Sequence, residues 1–500
     1  MNGFQKPHVV LVPFPALGHS IPFLDLASLL ASHGLTVSYV TTPANVTRVQ
    51  KPISEALSSN LDIHLVVLPT PVVEGLPEGR ESADLVPRES VNAIYQLAQR
   101  LEEPFNRWME RQLEQEDSGR GNWAPVCVIY DPFLEWVSGT VENYKIASFR
   151  FYTSGAFASS LLHSVSCSIV QNALEKEGES VVLSLNLPRP LRFHRHEIPV
   201  DFFDPDLSQP RMQAFLRRGQ SIAKGGEMLI NTFHELEPAY VEHLKNLTGK
   251  PVWAIGPVLP PKFFGGAAKV SERGKMADIS EGELVRWMDS QRQRSIVYIS
   301  FGSHNTLSEQ QTNALARGLE ASKQPFVWAI RVLPGIEPAT SDSMDLAKRL
   351  LPEGFKERTK ERGLVIWGWA PQLLILSHPS VGAFMTHCGW NSTLESVTLG
   401  VPLIAWPMFG DQHFNSKLVA ELGVGVQICQ HRDGIPDEQK VEEVVKLVLN
   451  NKSGEEMRRS AEKLKEVARN TFQDGGSSKT DLEAFVSEMH KLQGVRNGNS

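Results

Sequence analysis

The sequence predicts an α/β protein built from two doubly wound, mostly parallel-sheet domains in series. Three observations carry that expectation. Short β-rich runs alternate with helix-length amphipathic runs through the first half of the chain, and the same alternation restarts after a stretch rich in Pro, Gly and charge. The 500 residues also exceed what one hydrophobic core commonly serves, at about 150 residues per domain as a first expectation.

In the first half the strands read as HVVLVPF from His8, TVSYVTT from Thr36, HLVVLPT from His64, VCVIYD from Val126 and IASFRFY from Ile146. Each is a short apolar run rich in β-branched and aromatic residues, as a strand covered on both faces requires. Helices are expected near Ile21–Ser32 and over Glu89–Gln115. Leu183 to Pro210 reads as irregular, and EMLINTF, a helix from Glu235 to about Leu247 and PVWAIGPV complete this domain, assigned to residues 1–258. Residues 259–280, LPPKFFGGAAKVSERGKMADIS, read as the linker.

The second domain, 281–475, repeats the rhythm with SIVYISFGS, a helix near Ser308–Ala321, PFVWAIRV, LVIWGWA, VGAFMTH, VPLIAWP and VGVQI. Charged helices follow from Lys440 to about Leu492. The last of them, 476–492, is expected to pack back towards the first domain, and 493–500 is expected to be a disordered tail. Two open sheets facing each other across a cleft would bind ligands there, outside the carboxyl ends of their strands.

Composition narrows the function. A net charge of −7 offers no excess of cations to a polyphosphate backbone, so nucleic acid is not expected as a partner. No run approaches the roughly 18 to 20 apolar residues of a membrane helix, and Pro13 and Pro15 interrupt the first apolar stretch. Four scattered cysteines, Cys127, Cys167, Cys388 and Cys429, form no CxxC pair, which argues against a disulfide framework or a zinc site and fits a reducing cytosol. Sequons stand at Asn45, Asn246, Asn391 and Asn451.

The chemistry concentrates between Trp369 and Gln412: WAPQLLILSHPSVGAFMTHCGWNSTLESVTLGVPLIAWPMFGDQ. A strand, VGAFMT, runs through His387-Cys388-Gly389-Trp390 into a helix expected to open at Asn391-Ser392-Thr393. Backbone N–H groups and the positive dipole end of such a helix suit a diphosphate, and Gly389 lets the backbone approach closely. Glu395 lies one turn beyond Asn391, where its carboxylate can accept two ribose hydroxyls. Trp369 offers an indole face to a planar base. Taken singly, Trp369 and Trp390 would be ordinary core aromatics, and Asn391 or Ser392 an ordinary helix cap.

As an ordered, ungapped set the stretch resembles the signature box of the plant UDP-dependent glycosyltransferases: W-x-P-Q, H-x-x-x-G-x-F, T-H-C-G-W-N-S, L-E, G-V-P, W-P and a terminal D/E-Q. The resemblance implies a GT-B fold of two Rossmann-like domains, with the nucleotide sugar on the second and the acceptor on the first. It implies that Trp369 stacks on uracil, and that Ala370 and Gln372 engage base or ribose. Ser303, His387, Asn391 and Ser392 would meet the diphosphate, Glu395 the ribose, and Trp390, Asp411 and Gln412 the sugar hydroxyls. A terminal Gln accompanies glucose in the family, so UDP-glucose is the expected co-substrate.

In the first domain VPFPALGHSIPF places His19 at the turn from strand to helix, where a neutral imidazole can take a proton from an attacking hydroxyl. Asp131, at the end of VCVIY, is the candidate carboxylate for its other nitrogen. The resemblance pairs the same two positions, although Asp131-Pro132 would also make a good helix start. Phe14, Phe133, Phe151 and Phe202 are expected to line an apolar acceptor pocket.

Asp204-Pro205-Asp206 is formally a D-x-D, but no further carboxylates accompany it. His194-Arg195-His196-Glu197 lacks a helical H-E-x-x-H spacing and reads as a solvated loop. No metal or cofactor is expected. With neither G-x-G-x-x-G after a strand nor a P-loop, oxidoreductase and P-loop readings weaken. The expected reaction is inverting transfer of glucose to a hydroxyl of a small apolar acceptor, most often a flavonoid or other phenolic in the family, with terpenoids or hormones behind them. A UDP-sugar binder without transfer activity, or an epimerase or hydrolase on the same fold, are the alternatives from other classes. A monomer is the simplest assembly.

Overall fold

Strand β1 (His8–Val12) is buried along its whole length, and its alternation explains why. Val9 and Leu11 enter one apolar core while Val10 and Val12 enter another, so both faces of the sheet are covered. β1 is flanked by β2 (Thr36–Thr41) and β4 (Cys127–Tyr130), with β3 (Ile63–Val67) beyond β2 and β5 (Ala147–Tyr152) beyond β4. The computed structural model describes residues 6–117, 124–171, 175–177, 180–198, 202, 205–223, 225–260, 263, 273, 275, 277–331, 350–428 and 436–498.

The chain divides into two units, one formed by Met1–Phe193, Val200–Gly274 and Asn470–Ser500, the other by His194–Pro199 and Lys275–Arg469. In the first, a seven-stranded sheet has the order β10-β9-β5-β4-β1-β2-β3, with β9 at Met228–Ile230 and β10 at Val252–Ala254, and its pairings are parallel. Helices α1 (Leu17–Ser32), α2 (Val46–Ser58), α3 (Val91–Arg100), α4 (Glu102–Asp117), α5 (Trp136–Glu142), α6 (Ala156–Val170), α7 (Pro210–Ala223) and α8 (Pro238–Thr248) connect or flank these strands.

Three expectations change here. The single helix over Glu89–Gln115 is two, α3 and α4, because Pro104 has no N–H for the Arg100 carbonyl and is tolerated only in the first turn of a new helix. The region expected to be irregular, Leu183 to Pro210, contains a strand, β8 (Leu191–His194), which joins β6 (Glu175–Glu177) and β7 (Ser180–Leu183) just before it in a small sheet, with β6 and β7 antiparallel. The helix near Ile21 begins earlier, at Leu17, so His19 lies in its first turn.

In the second unit β11 (Ile296–Ser300) again alternates between two cores, Val297 and Ile299 against Ile296 and Tyr298. The six-stranded parallel sheet runs β13-β12-β11-β14-β15-β16, with β12 at Phe326–Ile330, β13 at Gly363–Trp367, β14 at Val381–Thr386, β15 at Leu403–Ala405 and β16 at Gly425–Gln427. Its helices are α9 (Glu281–Asp289), α10 (Glu309–Ser322), α11 (Phe355–Thr359), α12 (Gln372–Leu376), α13 (Trp390–Leu399), α14 (Gln412–Glu421), α15 (Glu438–Asn450) and α16 (Lys452–Asn470).

The last helix, α17 (Ser477–Arg496), is part of the first unit. Its Leu482, Phe485 and Met489 enter the same core as Val9 and Leu11, and the Phe485 ring meets Phe149 and Trp253 at 5.2 and 5.3 Å. Asp481 accepts the Ala254 N–H at 2.7 Å. The expectation of a disordered tail from 493 is corrected: Gln493 is buried, and the Arg496 guanidinium donates to the Pro125 carbonyl at 2.9 Å, so the helix is held to its end.

Candidate active site

The carboxyl ends of β1, β4 and β5 deliver three polar side chains to one place in the first unit. β1 leads through Pro13-Phe14-Pro15 into α1, whose first turn carries His19. The Asp131 N–H donates to the Val12 carbonyl at 3.0 Å, tying the ends of β1 and β4 together. Asp131 Oδ2 lies 2.6 Å from His19 Nδ1, and Thr153 Oγ1, beyond β5, is 3.2 Å from the same nitrogen. Asp131 is fully buried while the His19 side chain keeps 25% of its surface exposed, so the ring is held at one nitrogen and accessible elsewhere. Such an imidazole has its tautomer set by the carboxylate, leaving Nε2 to act as a base.

Asp131 caps no helix. Its Oδ1 accepts the Phe133 N–H at 3.0 Å inside a tight turn closed by Leu134 N–H to the Asp131 carbonyl, and α5 begins only at Trp136. Phe14 and Phe133 flank the imidazole at ring distances of 5.3 and 5.7 Å. Phe202 is buried in a stack on Phe215 at 4.7 Å. The expectation for Phe151 is corrected: it is fully buried beneath α1, edge-on to Phe23 at 5.0 Å, and belongs to the core.

Sequence reasoning missed Thr153, Tyr95 and Arg218. Tyr95 of α3 packs against both Phe14 and Phe133, at 4.9 and 5.5 Å. Arg218 of α7 lies over the Phe133 ring. The Thr153 position beside strand β5 was open to a strand-end argument, but no local pattern marks the other two.

In the second unit the paired strands β11 and β14 end side by side, Ser300 opposite Thr386. The turn after β11 carries Gly302 and Ser303, and the chain after β14 carries His387. Two glycines hold the imidazole: a Cβ on Gly302 would come within 2.6 Å of the ring and one on Gly389 within 2.5 Å. Burial pushes the His387 pKa down to about 4, so the ring is neutral at physiological pH. Cys388 turns the chain with a φ of 60°, and α13 opens at Trp390, one residue before the expected start. No side chain caps α13, which suits its first turn to an external anion. Asn391 lies in that first turn, and the Trp390 indole is buried.

The Gln372 amide nitrogen donates to Ser392 Oγ at 3.1 Å and to Glu395 Oε2 at 2.8 Å, joining three of the expected donor-site residues. Trp369 is fixed by a two-way bridge: its N–H donates to Asp278 Oδ2 at 2.6 Å, and its carbonyl accepts the Asp278 N–H at 2.9 Å. Ala370, beside it, is buried. Gln412 is buried, and its Oε1 accepts the N–H groups of Met408 and Phe409, which fixes the side chain against that loop. Asn415 donates both to Asp411 Oδ2 at 3.1 Å and to the Cys388 carbonyl at 2.9 Å, linking the Asp411 turn to the His387 loop.

Asp204 lies outside the described residues. Asp206 accepts from Ser208 and Gln209 in a local turn. Glu197 accepts the His194 N–H within a short, exposed 3-10 turn, in keeping with the solvated loop expected there. Among the described residues no three His, Cys, Asp or Glu side chains come together as metal ligands. Cys127, Cys167 and Cys388 are free, and Cys429 lies outside the described residues.

Two family descriptions cover almost the whole chain: a glycosyltransferase N-terminal domain matches residues 6–260, and the UDP-glucoronosyl and UDP-glucosyl transferase family matches residues 255–464. The chain belongs to the UDP-dependent glycosyltransferase family. Among relatives of this glycosyltransferase, the scopoletin glucosyltransferase of Nicotiana tabacum is 35% identical, over 96% of this chain and 98% of its own. The UDP-glucose flavonoid 3-O-glucosyltransferase 7 of Fragaria ananassa is 35% identical over 98% and 97%. Among solved structures, Glycyrrhiza uralensis UGT73P12 complexed with glycyrrhetinic acid 3-O-monoglucuronide superposes with a TM-score of 0.82 at 29% identity, over 99% of this chain and 98% of that one. Arabidopsis thaliana UGT89C1 complexed with UDP-L-rhamnose gives 0.73 at 31%, over 97% and 100%. The glycosyltransferase therefore has the GT-B architecture of two Rossmann-like sheets. Among its described residues no helix is long and apolar enough to cross a membrane.

Proposed function

We propose that this glycosyltransferase moves glucose from UDP-glucose to a hydroxyl of a small, largely apolar phenolic acceptor, with inversion at the anomeric carbon. The observation that carries the reading is the 2.6 Å contact between His19 and the buried Asp131 within an aromatic wall. Nε2 of His19 takes the acceptor proton as the oxygen attacks. The bond from the anomeric carbon to the diphosphate breaks, its electron pair leaves with UDP, and an α-linked donor yields a β-glucoside. Asp131 stabilises the imidazolium that forms.

The leaving diphosphate is stabilised at the first turn of α13, with His387, Asn391, Ser392 and Ser303 around it and no metal required. Trp369 stacks on the uracil, with Ala370 and Gln372 at base or ribose, Glu395 accepts the ribose hydroxyls, and Trp390, Asp411 and Gln412 meet the sugar. Relatives named as flavonoid and scopoletin glucosyltransferases support a phenolic acceptor. The glycyrrhetinic acid glucuronide in a similar structure supports a terpenoid as the second reading. The protein acts as a cytosolic monomer.

Mass spectrometry of products from UDP-glucose and a pooled set of phenolic and terpenoid acceptors, with a chelator present, tests this reading. A hexose added to a phenolic is the expected result. Free glucose alone would make the protein a hydrolase, and transfer only after metal is restored would overturn the metal-free step.

A further inference from the structure

Arg218 of α7 is a partly buried cation on the acceptor side. Its Nη2 donates to Ser154 Oγ at 2.8 Å, and its guanidinium carbon lies 5.2 Å from the Phe133 ring centre and 5.3 Å from that of Tyr152. Two short routes connect it to the proposed base. Phe133 also packs against His19, and Ser154 adjoins Thr153, whose hydroxyl is 3.2 Å from His19 Nδ1.

The backbone beneath it is fixed. His163 Nδ1 is 2.7 Å from the Gly219 carbonyl, and a Cβ on Gly219 would lie 2.3 Å from Ser166 Oγ, so α7 lies tight against α6. The neighbouring carboxylates are already engaged: Asp131 with His19 and the Phe133 N–H, and Glu135 with Arg150 at 2.9 Å. Among the described residues Arg218 has a hydroxyl and two rings as partners and no carboxylate. Arg211 lies two helical turns earlier. Burial pushes the Tyr95 phenol pKa up to about 12, and Arg211, Asp131 and Arg218 all act on it as well, the arginines against the carboxylate.

A planar guanidinium with donors to spare, held by rings against an apolar wall, matches the geometry of a carboxylate. We propose that Arg218 forms an anion subsite of the acceptor pocket, selecting acceptors that carry a carboxylate, or a comparably delocalised oxyanion, beyond the aromatic body whose hydroxyl reaches His19. This rests on the reading of the His19 region as the acceptor side.

The test is a competition at neutral pH between 4-hydroxycinnamic acid and its methyl ester, with UDP-glucose, using wild type, Arg218→Gln and Arg218→Lys. Because both acceptors share one tube, the product ratio is independent of the folded fraction. Wild type is expected to favour the acid, giving the phenolic glucoside. The acid-to-ester ratio should fall at least tenfold in Arg218→Gln and recover in part in Arg218→Lys. An unchanged ratio, a wild-type preference for the ester, or a glucose ester as product would overturn the subsite. Calorimetric binding of the acid alone reads the subsite without turnover and should weaken at least tenfold in Arg218→Gln. That difference without any transfer would sink the proposed function and leave the subsite standing, whereas equal binding would sink the subsite.

Discussion

Asp131 divides its two carboxylate oxygens between a structural and a chemical partner: Oδ1 accepts the Phe133 N–H at 3.0 Å and Oδ2 meets His19 Nδ1 at 2.6 Å. One bond fixes the turn after β4 and the other fixes the imidazole, so the same side chain positions the proposed base and the aromatic ring beside it. Asp131→Asn keeps the shape and can still accept at Phe133, but loses the charge that supports a protonated His19. Its kcat for transfer should fall about 10²-fold with the KM for UDP-glucose nearly unchanged, since general-base assistance is worth roughly 10²–10⁴. Steady-state kinetics in both substrates checks this, and a rise confined to the donor KM would contradict it.

Asp278 holds Trp369 from both sides of its peptide, through N–H to carboxylate and carbonyl to N–H. Asp278→Ala removes the charge-assisted bond and frees the loop that presents the indole. The KM for UDP-glucose should rise several-fold while kcat at saturating donor changes little, because Asp278 acts through Trp369, the residue proposed to stack on uracil. Titration of UDP by calorimetry would show the same weakening without any acceptor present.

His387 makes the fold sensitive to acid. Its pKa is about 4 in the folded protein against about 6.5 when unfolded, so between those values the unfolded chain binds the extra proton. Stability therefore falls as pH drops through 6.5 towards 4, by about 2 kcal/mol from this group at pH 5. His387→Asn should lose less stability than wild type between pH 7 and pH 5 in urea unfolding. Parallel losses in the two proteins would show that the ring is not held neutral.

Much of this architecture was legible in the chain. The runs HVVLVPF and SIVYISFGS are apolar at successive positions because their strands face two cores, and both became central strands of parallel sheets. The stretch from Trp369 to Gln412 was readable because its residues lie close in sequence, and Gln372, Ser392 and Glu395 do meet. Phe151 shows where such reading fails. Strand parity puts it on the same face as Phe149, opposite Arg150 and Tyr152, but parity alone does not say which face α1 and α17 cover. Arg218 and Tyr95 come from helices far apart in the chain, and only tertiary packing brings both to Phe133.

The most direct test of the central claim is single-turnover transfer by His19→Ala at saturating UDP-glucose and acceptor, with UDP binding measured on the same preparation. The account predicts a loss of roughly 10²–10⁴ in the transfer rate with UDP affinity intact. Transfer within a few-fold of wild type, on an acceptor whose hydroxyl is un-ionised at the assay pH, would show that another group takes the proton and would contradict the account.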